Sequence, residues 1–172
     1  MRRGPRGPLL VAVLCALAVS GCRSERLAFR SDVAVSIDTP AHRERVSLPV
    51  QVELTTTERL VKRQRAEPNR ALFAVFVDQE PMPVGESLKW VARDDDGCRD
   101  TPDCPDLAYL NARAIFVTSS TSVRVETVLT SPRGRELSEG LHRMTVVLLD
   151  ADGRRQGEPV ASREFFIEKV QQ

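Results

Sequence analysis

Apolar and polar residues alternate along much of the chain with a period of two. Val46, Leu48, Val50, Val52 and Leu54 are interleaved with Ser47, Pro49, Gln51 and Glu53. That alternation predicts a strand with one buried face. Pro49 has no amide hydrogen to donate, so it points to an edge or a bulge near the start of that strand. Val33, Val35 and Ile37 alternate in the same way until Asp38-Thr39-Pro40. Residues 72–77, Leu-Phe-Ala-Val-Phe-Val, are continuously apolar and predict a central strand. After a loop at 78–85, residues 88–91 can pair back. Segments 114–118 and 122–129 are β-prone, and Ser131-Pro132-Arg133-Gly134 reads as a turn. A strong strand pattern covers 142–149. Asp150-Ala151-Asp152-Gly153 has the form of a tight hairpin turn with Gly153 at positive φ, and 160–167 returns as the last strand. Asp106 is placed to cap a short helical turn through Leu110. No long stretch carries a helical period.

Seven or eight short strands separated by turns predict an all-β protein, an antiparallel β-sandwich. Its expected core is Val50, Val52, Leu54, Phe73, Val75, Phe76, Met144, Val146, Leu148, Phe165 and Ile167. Val33–Pro40 followed by Val46–Val52, and Gly140–Asp150 leading through Gly153 to Glu164–Ile167, resemble bacterial Ig-like or fibronectin-III-like modules. The resemblance implies an Ig-like β-sandwich over most of 32–169. The hallmarks of antibody domains are missing. Cys98 and Cys104 are too near each other to join two sheets, and Trp90 lies outside the best core strand.

The first 22 residues follow another rule. Arg2, Arg3 and Arg6 precede the apolar run Leu9–Val19. Eleven helical residues reach about 16 Å, short of a hydrocarbon core of about 30 Å. The run has the length of a signal peptide. It ends in Val19-Ser20-Gly21-Cys22, which resembles the bacterial lipobox. The resemblance implies cleavage before Cys22, whose thiol carries diacylglycerol. Two or three acyl chains give stable anchoring where one is marginal. The alternatives are an ordinary cleaved signal peptide and a retained anchor helix, neither of which explains a cysteine at this position. The expected organisation is a signal peptide at 1–21, a lipidated N-terminus and tether at 22–31, and the β-sandwich at 32–169. Arg23 follows the lipidated cysteine where Asp would mark inner-membrane retention. The expected location is therefore the outer membrane of a two-membrane envelope, or the outer face of the cytoplasmic membrane. The layout is similar to high-GC bacterial lipoproteins of unknown function.

Charge narrows the partners. Lys+Arg is 25 against 24 Asp+Glu, and three of the arginines lie in the leader. The remaining near-neutral body lacks the basic face that nucleic acid would need.

Of the four cysteines, Cys15 lies in the leader and Cys22 is the expected lipid site. Cys98 and Cys104 remain, with five residues between them, Pro102 among them. Export permits a disulfide there. A redox or metal pair is the alternative, but redox motifs favour a two-residue gap and two thiolates do not complete a zinc site.

Asp94, Asp95, Asp96, Asp100, Asp103 and Asp106 crowd one stretch. Calcium takes six to eight oxygens, yet the spacing fails the EF-hand template: Ala92 stands where its first Asp belongs. The plainer reading is a solvated acidic loop, with Arg93, Arg99 and Arg113 as partners. Met82 and Trp90, beside Pro81 and Pro83, form a candidate apolar binding surface with Asp94, Asp95 and Asp96. Alternatively, Trp90 packs over one end of the sandwich. His42 and His142 are the only histidines, and His142 is expected in a partly exposed structural role. No nucleophile elbow, phosphate loop or dinucleotide fingerprint appears.

These features predict a lipid-anchored envelope protein. Its sandwich binds or assembles with an envelope or surface partner and has no catalysis, cofactor or metal. The competing classes are an anchored hydrolase whose carboxylates converge only on folding, and an accessory subunit of a transporter.

Overall fold

The computed structural model describes residues 35–57, 59, 61, 62, 65, 70–126 and 137–168. All lie within a unit spanning 31–172. The signal peptide, Cys22, the tether, Val33, residues 127–129 and the turn at 131–134 lie outside the described residues.

Eight strands are described: β1 (Val35–Thr39), β2 (Arg45–Val46), β3 (Val50–Thr56), β4 (Phe73–Val77), β5 (Ile115–Thr118), β6 (Ser122–Val125), β7 (Gly140–Leu149) and β8 (Arg155–Ile167). They form a three-stranded sheet in the order β1-β3-β6 and a five-stranded sheet in the order β2-β8-β7-β4-β5. Between β4 and β5 lie a 3-10 turn (Leu88–Ala92) and two short helices, α1 (Asp96–Arg99) and α2 (Leu107–Asn111). Residues 59, 61, 62 and 65 are helical, in a stretch where the apolar pattern marks no element.

The two sheets share one core. From the small sheet come Val35, Ile37, Val50, Val52, Leu54, Val123 and Val125; Phe73, Val75, Met144, Val146, Phe165 and Ile167 face them from the large one. Burying each such aliphatic or aromatic side chain contributes about 1.5–3 kcal/mol. The alternation read in β3 is the alternation of its burial: Val50, Val52 and Leu54 point inward, while Gln51 is exposed.

Four expectations need correction. The run from Val46 to Leu54 is not one strand. It breaks at Leu48-Pro49, because a proline cannot donate to the ladder. Val46 joins the large sheet through β2, and Val50 opens β3 in the small one. The pairing is not wholly antiparallel either, since Arg45 and Val46 run parallel to Phe166 and Ile167 of β8. Leu88–Val91 is a 3-10 turn and not a returning strand.

The fourth correction concerns Phe76. It belongs to a second cluster on the outer face of the large sheet, with Ala74, Met82, Leu110, Ile115, Val147 and Leu149. β4 is buried at every residue because both its faces are covered. The segment between β4 and β5 therefore forms a third layer over this sheet. Leu148 is half-buried against the first cluster. The turn after β7 does place Gly153 at φ +69°, and Asp106 caps α2 by accepting from the Tyr109 amide at 2.7 Å.

Candidate functional site

The covering layer is stitched to the β7–β8 hairpin. Gly85 N donates to Arg155 O and Arg155 N to Glu86 O, both at 2.9 Å, while Leu88 N donates to Gly153 O at 3.2 Å. Arg155 is itself buried. Its Nη1 donates to the Met82 carbonyl at 2.6 Å and its Nε to the Gly157 carbonyl at 3.2 Å. A buried guanidinium is stable only with such acceptors around it. Met82 is 1% exposed, so it serves the core and does not contribute to an open binding surface. A lone methionine between two prolines carries no periodicity, which is why its burial was not legible. Trp90 is half-buried against the same cluster, with the Arg93 guanidinium 4.4 Å from its ring centroid.

The three adjacent aspartates separate into two kinds. Asp94 and Asp96 have side chains 83% and 82% exposed, each beside an arginine, Arg93 and Arg99 respectively. Asp95 is the N-cap of α1, and its Oδ1 accepts from the Cys98 amide at 3.2 Å. Its Oδ2 accepts from the Tyr109 hydroxyl at 3.2 Å and from Arg113 Nη2 at 3.1 Å. The Arg113 guanidinium also lies 3.5 Å from the Tyr109 ring centroid. One carboxylate thus joins α1 to the end of α2. Burial raises the Tyr109 phenol above its ordinary pKa; the Arg113 charge pulls the other way, and donation to Asp95 adds to the rise. Cys98 and Cys104 form a disulfide with Cα atoms 5.3 Å apart.

A cleft of about 390 Å³ opens where the loop after β4 meets the start of β7 and the end of β8. His142 lies inside β7 and is 6% exposed, deeper than a residue at a strand start would sit. Its Nδ1 lies 2.6 Å from Asp78 Oδ2 and its Nε2 2.7 Å from the Ser138 carbonyl oxygen. Asp78 has φ +53°, a conformation that Asp tolerates better than most residues. Its Oδ1 accepts from Arg143 N at 2.9 Å. Both imidazole nitrogens are thus held by oxygens of Asp78 and Ser138, which ties the loop after β4 and the segment before β7 to His142. The sequence offered no cue that Asp78 and His142 meet across 64 residues.

On the cleft's other wall, Glu164 accepts from Arg143 at 3.1 Å and from Arg43 at 3.2 Å. The Arg143 hydrogen bond, then that from Arg43, holds its carboxyl below the ordinary value. Leu141 is half-exposed beside them. Among the described residues, no group of three or more His, Cys, Asp or Glu side chains converges to hold a metal ion. His42 has no part in this cleft's lining.

No family model matches the chain, and no curated protein matches it. Among solved structures, the chain is similar to the fibronectin(III)-like modules of Clostridium thermocellum CbhA. The identity is 11% and the TM-score 0.36, with 80% of this chain and 99% of that chain covered.

Proposed function

We propose that this chain is a lipid-anchored envelope protein whose Ig-like or fibronectin-III-like domain is a binding or assembly module without chemistry of its own. The observation that carries the reading is the cysteine closing the leader's apolar run, in Val19-Ser20-Gly21-Cys22. The Cys98–Cys104 bridge agrees with it, because disulfides persist in oxidising compartments outside the cytoplasm. The polar groups of both candidate regions support binding over catalysis. Asp95, Asp78, His142 and Glu164 are engaged with internal partners.

The contact surface is the outer side of the covering layer. It presents the Trp90–Arg93 stack, Asp94, Asp96 and the exposed Leu107. Met82 and Asp95 hold that surface in shape from beneath. Its partner is an envelope protein, and a prefolded surface binds it with less entropy to lose. The test is Cys22→Ser in the native host, with an alkyne fatty acid as label. Loss of label and accumulation of the precursor are expected. Normal labelling and processing of that variant would refute the anchor.

A further inference from the structure

We propose that the Cys98–Cys104 disulfide is a redox-controlled latch on the covering layer, opened by thiol–disulfide exchange with a dithiol. Three observations carry this. The first is access. Cys98 is 5% exposed, but Cys104 is only half-buried and borders a second cavity of about 370 Å³. Lys89 and Arg99 line that cavity together with Asp100 and Asp103, so its wall has little net charge to repel an incoming thiolate.

The second observation is what the bridge holds. α1 has four residues and α2 five, too few to persist alone. Cys98 is both a bridge residue and the residue whose amide Asp95 caps, and the other oxygen of Asp95 grips Tyr109 and Arg113 of the α2 region. Leu110, on α2, is packed into the outer-face cluster with Phe76 and Ile115. Bridge, cap, carboxylate grip and buried leucine form one mechanical series. The third observation is that, among the described residues beyond Asp78, the layer's hydrogen bonds to the β7–β8 hairpin fall at residues 82–88, on the far side of the 3-10 turn from the bridge, while α2 meets the sheet through the single buried side chain of Leu110. Opening the bridge therefore loosens 93–113, which then rests on Leu110 and the Asp95 grip, while 82–88 keeps its hydrogen bonds to the hairpin.

One thiolate of the dithiol attacks the Cys104 sulfur, forming a mixed disulfide and releasing Cys98 as a thiolate, which takes up a proton. The second thiol of the reagent, deprotonated, attacks its own half of the mixed disulfide and releases Cys104, which is protonated in turn. The bridge gains two electrons and two protons, and the dithiol becomes a disulfide.

Removing a seven-residue closure shifts the balance between docked and loosened layer by roughly fifty-fold in the chain-entropy model. The test is hydrogen exchange by mass spectrometry on the full chain, before and after dithiothreitol, with alkylation of Cys98 and Cys104 confirming complete reduction. Peptides within 93–113 should lose protection by roughly fifty-fold while β4, β7 and β8 keep theirs. The emission of Trp90, the sole tryptophan, reports the same loosening. The double variant Cys98→Ser/Cys104→Ser should match the reduced protein without reagent. Unchanged protection at 93–113 after full reduction overturns the latch. So does equal loss across β4 and β7, or a double variant that exchanges like the oxidised protein.

Discussion

Replacing Asp95 by alanine removes three interactions from one carboxylate: the α1 cap, the Tyr109 hydroxyl and the Arg113 ion pair. A lost N-cap costs about 1 kcal/mol. A hydrogen bond to a charged group is worth about 1.5–3 kcal/mol. The Arg113 and Asp95 side chains are 27% and 23% exposed, so solvent weakens the pair only in part. The two bonds to Oδ2 share an atom and are not additive. The expected loss is therefore about 2–4 kcal/mol. Urea unfolding followed by Trp90 emission and far-UV circular dichroism measures it, with the slope unchanged. The control is the pair Asp94→Asn and Asp96→Asn, both at exposed sites, which should stay within about 0.5 kcal/mol of the parent. A parent-like Asp95→Ala, or a control as damaging as it, would refute the assignment of Asp95 to structure and of its neighbours to surface.

Phe76→Ala should cost about 3–5 kcal/mol in the same assay, because the outer face of the large sheet is as dry as its inner face; a loss under about 1 kcal/mol would mean the layer does not cover it. Glu164 has its carboxyl held low in the folded protein, so its pairing with Arg143 and Arg43 favours folding above pH ~4.5 and is lost as pH falls through the folded value. The stability gap between the parent and Glu164→Gln, read from urea midpoints, should accordingly narrow from pH 6 to pH 3. A gap independent of pH contradicts that pairing.

The parts legible from sequence were those whose burial follows a simple period. β3 buries alternate residues, and its alternation was visible. β4 is buried on both sides, and its continuous apolar run announced a central strand without saying what covered the second face. The cover itself was opaque. Its helices are too short to show a helical period, and its contacts with the sheet run through isolated side chains such as Met82 and Leu110 and through hydrogen bonds to the backbone and side chain of Arg155. Cys98, Cys104 and the capping Asp106 could be read because each acts locally. Asp95 could not be told from Asp94 and Asp96, since only the arrival of Tyr109 and Arg113 distinguishes it. The parallel contact of β2 with β8 involves two residues of each strand and leaves no pattern at all.

Lipid attachment at Cys22 is the claim on which the proposed function stands, and the intact mass of the protein extracted from the membranes of its own host tests it most directly. The expected mass is that of a chain beginning at Cys22, two hydrogen atoms lighter for the Cys98–Cys104 bridge, plus a diacylglyceryl group with or without a further acyl chain. A mass equal to the unmodified chain, beginning at Met1 or at any residue other than Cys22, would contradict it.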